Sequence, residues 1–260
     1  QDLSDLTAIE PPIWAGLIAT YCEAHGLSVQ ILDAEALGIN TQDTAIEIMS
    51  RNPRLAVFCI YGHQPSASTQ CLPAASRVAK LVQREGETQI PTLALGTHPS
   101  ALPAQTLREE PFDYVCEGEG PITVKDLVWR IKGFGHPYPR DVARKFISGL
   151  WTKLEGEPTI LCEAPLRNME QLDVNLARPA WHLLDMRRYR AHNWHLWTGN
   201  PGGGYASIQT SLNCPFACHF CCISAPFGDR KMRFWSPGSV ITQIKNLVEQ
   251  HGITNIKIAD

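Results

Sequence analysis

The chain has 260 residues, is 44% hydrophobic and carries a formal net charge of −3. That length supports two domains with cores of their own, and the mild acidity gives no sign of a nucleic-acid surface or a basic membrane-binding face. No apolar run reaches the roughly 18 residues that a membrane span needs, and no secretory leader is expected, although the opening Gln1 leads us to expect further sequence upstream.

The first half alternates helix and strand signals. Residues 11–25 read as a helix, with Pro11 and Pro12 at its start and Gly26 past its end. Residues 27–33 form a short β-rich run. Residues 41–50 read as a helix capped by Asn40 or Thr41. Residues 55–61 (LAVFCIY) are a continuous apolar run, as in a strand covered on both faces. A helix over 68–84, a strand over 92–96, a short helix over 102–110, a strand over 112–116 and a helix over 121–132 follow. This is the rhythm of an α/β, doubly wound domain. A flavodoxin-like strand order, 2-1-3-4-5, puts the first strand at the centre. The chain starts inside the loop after that strand, so the strand is expected upstream of Gln1.

Residues 133–140 (GFGHPYPR) read as a linker. Residues 146–160, with Glu155-Gly156 in the middle, read as a β-hairpin. Residues 161–204 hold several Trp, His and Pro with no clear period, and Gly202-Gly203-Gly204 closes the stretch. A strand over 205–211 then runs into a loop of cysteines. Ser236 and Pro237 open a helix that runs to about His251, and Gly252 ends it. A last strand spans 254–259. The expected domains are 1–133, a linker with hairpin over 134–204, and the first strand–helix–strand unit of a second domain over 205–260. Such a unit cannot bury its own faces, so more strands are expected beyond Asp260, and this chain alone is not expected to turn over.

The chain has nine cysteines. Cys22, Cys59, Cys71, Cys116 and Cys162 lie scattered among apolar residues and read as small buried hydrophobes. Cys214, Cys218, Cys221 and Cys222 crowd into nine residues. A reducing cytoplasm and a metal site explain that cluster better than disulfides do. Three thiolates from one loop can wrap three irons of a cubane cluster and leave the fourth open. An open iron can chelate the amino and carboxylate groups of a methionine moiety, which lets an electron pass into its sulfonium. The loop also follows a strand, where barrel active sites sit. The competing reading is a structural zinc on Cys214, Cys218, Cys221 and either His219 or Cys222. No second short cysteine pair accompanies these, and the adjacent Cys221 and Cys222 suit one tetrahedral ion badly. His219 then reads as a loop residue and Cys222 as a buried thiol.

Three loops stand at the C-terminal ends of strands, where open α/β sheets bind ligands. They are 61–68 (YGHQPSAS), 96–100 (GTHPS) and 117–121 (EGEGP). Glycine admits a bulky ligand close to the backbone, and the following helix N-termini favour a phosphate. Ordinary turn chemistry accounts for the same residues. His63 and His98 serve either as loop caps or as contacts. In the bridge, Trp181 to Asp185 and Tyr189 to His195 are dense in polar aromatics. They either face a substrate cleft or pack internally.

The stretch Thr210 to Cys222, followed by Met232-Arg233-Phe234-Trp235-Ser236-Pro237, resembles the start of the radical SAM superfamily domain. The pattern of that superfamily is three cysteines at this spacing with an aromatic before the third, here Phe220. The first half resembles the cobalamin-binding domain that precedes the radical SAM domain in one large subfamily. The resemblance covers nearly the whole chain. It implies a partial (β/α) barrel for the second domain and a 4Fe-4S cluster on Cys214, Cys218 and Cys221. It implies S-adenosyl-L-methionine with its adenine near the backbone of Phe220, and cobalamin with its nucleotide tail along Ser66, Ser68, Gly96, Thr97, Gly118 and Glu119. The activity implied is reductive cleavage of S-adenosylmethionine to a 5′-deoxyadenosyl radical, which takes hydrogen from an unactivated carbon that then receives a methyl group. Cyclisation or oxidation without methyl transfer is the alternative within the class, and a non-catalytic cobalamin- or metal-binding module is the alternative outside it. A tRNA methylthiotransferase fits less well, because Cys22, Cys59, Cys71 and Cys116 do not match that group's N-terminal cluster. A small-molecule substrate and an external electron donor such as flavodoxin or ferredoxin are the expected partners. No Asp-x-His-x-x-Gly occurs, so no histidine is expected beneath the cobalt.

Overall fold

The computed structural model describes residues 8–62, 67–85, 90–134, 146–153, 160–161, 164, 166–191 and 204–260. The helices are α1 (Ile13–Ala24), α2 (Ala34–Leu37), α3 (Thr41–Arg51), α4 (Ala67–Glu85), α5 (Thr97–Ala101), α6 (Pro103–Glu109), α7 (Pro121–Phe134), α8 (Leu172–Asn175) and α9 (Pro237–His251). The strands are β1 (Ala56–Ile60), β2 (Thr92–Gly96), β3 (Tyr114–Cys116), β4 (Leu150–Lys153), β5 (Ile160–Leu161), β6 (Gly204–Ile208), β7 (Ser211–Leu212), β8 (Arg233–Phe234) and β9 (Ile253–Ile258). Contacts divide the chain into two units. One comprises Ile39–Met169 and Asn213–Lys231; the other comprises Gln1–Gly38, Glu170–Leu212 and Met232–Asp260.

The first of these holds a five-stranded sheet in the order β1-β2-β3-β4-β5. β1, β2 and β3 are parallel, as the continuous apolar runs predict. All five residues of β2 are buried. Asp113 ties the entry of β3 to that of β2: its carboxylate accepts the Thr92 amide and hydroxyl, each at 2.8 Å. The expected hairpin forms and continues the sheet. β4 pairs antiparallel with β3, and β5 with β4. The open edge of β3 offers unpaired N–H and C=O groups, and the hairpin takes them. Ile60, Leu72, Ala94, Leu107, Phe112 and Val115 form one core cluster here.

Residues 27–33, expected as β-rich, form no ladder with any described strand. A backbone run becomes a strand only where a neighbour takes its polar groups. Asp33 instead caps α2 through the Ala36 amide at 3.2 Å and accepts the Tyr189 hydroxyl at 3.0 Å.

The second unit pairs β6 with β9 in parallel, and its core includes Trp181, Tyr189, Ala206, Ile208, Leu247 and Ile253. Ser236 caps α9 by accepting the Ser239 amide at 3.2 Å, Pro237 opens the helix, and Gly252 closes it in the left-handed conformation (φ +65°). The strand expected over 205–211 ends at Ile208; Ser211 and Leu212 pair antiparallel with Phe234 and Arg233 instead.

The expected boundaries at 133 and 204 are not where the contacts divide. Helix α1 is apolar nearly all round and buries Trp14, Leu17, Ile18, Tyr21 and Cys22, so it needs partners on several sides. It finds them in the bridge: Gly16 lies so close to Pro179 that a Cβ would stand 2.6 Å from that ring. The Thr20 hydroxyl donates to Arg178 O at 2.7 Å, and Ala180 donates to Gly16 O at 3.0 Å. Among the scattered cysteines, Cys22 and Cys116 are buried and Cys59 is half-buried, but Cys71 is exposed. It lies off the stripe Ser68, Leu72, Ser76 and Ala79 that α4 turns inward. Cys162 lies outside the described residues.

Asp173 on α8 accepts the Ser236 amide at 2.9 Å, and hydrogen bonds from Ser236 hold its carboxyl below the usual range. A group whose folded pKa is depressed stabilises the fold above its unfolded value, and that contribution is lost as pH falls through the folded value. Asp173→Asn is therefore expected to make the acid limb of a stability–pH profile shallower. Urea titrations between pH 2 and 7 check this, and an unchanged acid limb would assign Asp173 no such role. Among the described residues no helix is long and apolar enough to cross a membrane.

Candidate functional site

The cysteine loop leaves β7 at Asn213 and returns at β8. A series of turns shapes it. The Cys221 amide donates to Cys218 O at 3.1 Å, Ala225 to Cys222 O at 3.0 Å, and Phe227 to Ser224 O at 3.0 Å. Cys218 and Cys221 are exposed, and Cys214 and Cys222 are half-buried. Phe216 and Phe220 project outward, 72% and 93% exposed. Three thiols of one short loop, two of them turned outward, are the donor chemistry of an iron–sulfur cluster with one open iron. Among the described residues no three Cys, His, Asp or Glu side chains converge on a point that could hold a single ion.

The returning arm is the better packed part of the loop. Pro226 and Phe227 are buried, and their short 3₁₀ turn lies against α5. Leu166 and the Pro226 carbonyl close over Gly118: a Cβ there would stand 3.3 Å from Leu166 Cδ1 and 3.8 Å from Pro226 O. The cysteine loop and the loops after β2 and β3 thus belong to one unit.

The strand-end loops are held from within. The Ser68 hydroxyl, fully buried, donates to Ile60 O and accepts the His98 amide at 2.9 Å. His98 Nδ1 meets the Thr69 hydroxyl at 3.0 Å, which is the capping role. Ser100 Oγ accepts the Gly118 amide at 3.1 Å. Glu119 is 3% exposed and accepts the Met169 amide at 2.6 Å. Thr97 is buried at the start of α5. The side chains of Ser68 and Glu119 thus hold the loops. What the loops present is backbone, beside a small depression lined by Gly118, Gly120, Thr123, Ser148 and Arg167. Gly-rich backbone next to a helix N-terminus is chemistry that fits a phosphate-bearing nucleotide tail. Ser66 and His63 lie outside the described residues. Behind the loops, burial and the neighbouring Cys116, Cys59 and Glu119 push the Tyr61 phenol well up.

Ser68→Ala would leave the buried Ile60 carbonyl and the part-buried His98 amide without this partner. The expected cost is about 1–3 kcal/mol, read as a lowered urea midpoint. A change within error would mean that the two strand ends are held by other means.

Trp181 and Tyr189 pack in the core, which settles their part of the bridge as packing. His182 is exposed and meets Glu23 at 3.1 Å. His192 to His195 lie outside the described residues. Sequence reasoning missed Asn213, Asn168 and Asp229. Asn213 Nδ2 donates to Asp229 O at 2.9 Å, and Asn168 Nδ2 to Phe227 O at 2.6 Å. An asparagine directly before the first cysteine, a residue type at ease in the left-handed region, was the available signal.

Residues 3–128 match the B12 binding domain family. Over 98% of its length the chain is 25% identical to cytidylyl-2-hydroxyethylphosphonate methyltransferase of Streptomyces wedmorensis, covering 52% of that protein. Over 96% it is 23% identical to anaerobic magnesium-protoporphyrin IX monomethyl ester cyclase of Cereibacter sphaeroides, covering 37% of that one. The chain thus spans about half or less of the length of these relatives. Among solved structures it resembles the radical S-adenosylmethionine methyltransferase TsrM of Kitasatospora setae (TM-score 0.64, 16% identity, 95% of this chain and 44% of that one). It also resembles the cobalamin-dependent S-adenosylmethionine radical enzyme OxsB (TM-score 0.69, 14% identity, 100% of this chain and 33% of that one). Residues 3–128 thus match the B12 binding domain family, and nearly the whole chain shares a fold with these enzymes.

Proposed function

We propose that this chain is the cofactor-binding part of an enzyme that splits S-adenosylmethionine reductively and methylates an unactivated carbon of a small molecule. The observation that carries the reading is the seating of the C-x-x-x-C-x-x-C loop, through Pro226 and Phe227, against the loops after β2 and β3. One unit thereby holds both the thiols suited to a cluster and the backbone suited to a corrin tail. When bound, the cluster supplies the electron that breaks the sulfonium bond, and cobalamin supplies a carrier for the methyl group.

Cys214, Cys218 and Cys221 would hold the cluster, with one iron left open for S-adenosylmethionine, and the Phe220 backbone would serve its adenine. Exposed Phe216 and Phe220 supply apolar cover that keeps water from the reacting centre. Ser68, Ser100 and Glu119 keep the strand-end loops in place, so that the backbone at Gly96, Thr97 and Gly118 meets the nucleotide tail. A flavodoxin or ferredoxin delivers the electron. A second reading, cyclisation or oxidation without methyl transfer, has its support in the likeness to the Cereibacter cyclase.

The test is anaerobic reconstitution of the intact enzyme, with iron and sulfide analysis and a visible spectrum with and without added cobalamin. Product analysis on S-adenosylmethionine follows. Cluster and corrinoid uptake with both 5′-deoxyadenosine and S-adenosylhomocysteine supports methyl transfer; 5′-deoxyadenosine alone supports the second reading. Corrinoid binding with no cluster would reduce the protein to a cobalamin-binding module.

A further inference from the structure

We propose that Asn213 and Asp229 form a clamp across the neck of the cysteine loop and are positioning residues for the Cys214 thiol; the role rests on the cluster reading above. Asn213 has φ +78°, a conformation that costs most residues strain and asparagine least. Both ends of its amide are used. Oδ1 accepts the amide of Cys214, its own neighbour, at 2.8 Å. Nδ2 reaches Asp229 O at 2.9 Å, Asp229 Oδ1 at 3.1 Å and Lys231 O at 3.3 Å.

Asp229 is held in turn. Its Oδ1 accepts the Lys231 amide at 3.0 Å, and its Oδ2 accepts Asn168 Nδ2 at 3.3 Å. The same Asn168 amide donates to Phe227 O at 2.6 Å. Residues 16 positions apart are therefore fastened side by side, and all four cysteines of the loop lie between them. Closing the neck fixes where the loop starts and ends, which lowers the entropy lost when three thiols gather on one cluster. Through Oδ1 the clamp also sets the backbone orientation of Cys214, the thiol nearest the neck. Groups that orient a metal ligand without touching the metal act on metal retention in this way.

The test compares wild type, Asn213→Gly, Asn213→Asp, Asp229→Asn and the exchanged pair Asn213→Asp with Asp229→Asn, in the intact protein. Asn213→Gly keeps the left-handed backbone and removes the amide. Asn213→Asp sets two carboxylates against each other. The exchanged pair restores one donor facing one acceptor with the roles reversed. Two quantities are read: hydrogen exchange across residues 213–231 in the cluster-free protein, and iron per chain with the electron paramagnetic resonance spectrum of the reduced cluster after reconstitution. The clamp predicts faster exchange at the neck and about tenfold weaker cluster retention in the two Asn213 variants, the scale on which outer partners of metal ligands act. Recovery of both in the exchanged pair supports it. Unchanged exchange in Asn213→Gly overturns the clamp. Faster exchange with wild-type iron content and spectrum overturns the positioning role. A wild type that takes up no iron overturns the cluster reading and this role with it, and is distinguishable because the neck still responds to substitution.

Discussion

Cys214→Ala, Cys218→Ala and Cys221→Ala are each expected to abolish stable assembly of the cluster, whereas Cys222→Ala retains it. On the proposed reading each of the first three removes a charged ligand from a three-ligand set, and a cubane with one open iron has none to spare. Neighbouring residues on an extended chain point to opposite sides; in the structure Cys221 is exposed, and Cys222, expected as a buried thiol, is half-buried like Cys214. Losing the Cys222 sulfur should cost only on the order of 1 kcal/mol of packing. The measurement is iron and sulfide per chain after anaerobic reconstitution, with circular dichroism to establish the fold. Normal cluster content in Cys218→Ala, or full loss in a folded Cys222→Ala, would overturn the assignment. Stoichiometric zinc without iron in the wild type would favour a structural metal instead.

The largest effect on stability is expected from Gly96→Ala. Gly96 ends β2 opposite Ile60, the last residue of β1. A Cβ there would stand 2.1 Å from Ile60 O and 2.5 Å from Ile60 C, on a backbone at φ +140°. The obstacle is main chain, so no rotamer relieves it. The disallowed φ costs about 1–3 kcal/mol, and forcing two strand ends apart costs a similar amount. The total, roughly 2–6 kcal/mol, is comparable with the whole stability of many domains. A urea midpoint lowered accordingly, with corrinoid uptake lost in parallel, is the expected result. A shift below about 1 kcal/mol would mean that the strand ends part freely.

Local signals were the legible ones. Ser236, Pro237 and Gly252 mark both ends of α9 because capping is written within a few residues of each end. The continuous apolar run at 55–61 gives β1 for a similarly local reason, and the cysteine spacing points to the loop. What the sequence does not show is partnership over distance. Residues 27–33 have β-forming composition but no described strand alongside. The hairpin β4–β5 is readable, but its docking on β3 is not. The apolar surface of α1 says that the helix must be covered and not by what; the cover, Arg178 to Ala180, lies some 160 positions away. Asp229 carries no signal at all until the fold sets it beside Asn213.

Helix α1 and the residues that cover it also set an order of events during synthesis. Unit Ile39–Met169 with Asn213–Lys231 draws most of its chain from one continuous stretch, so the sheet can form while later residues are still being made. Thr20 must wait for Arg178, 158 positions later. At the usual pace of translation that is roughly 8–30 s. Throughout that time Gly16 and Thr20 lack the neighbours that the fold sets against them. The cysteine loop emerges later still and meets α5 as a finished surface. On the proposed reading, an iron centre would therefore be loaded onto a protein whose sheet has already folded.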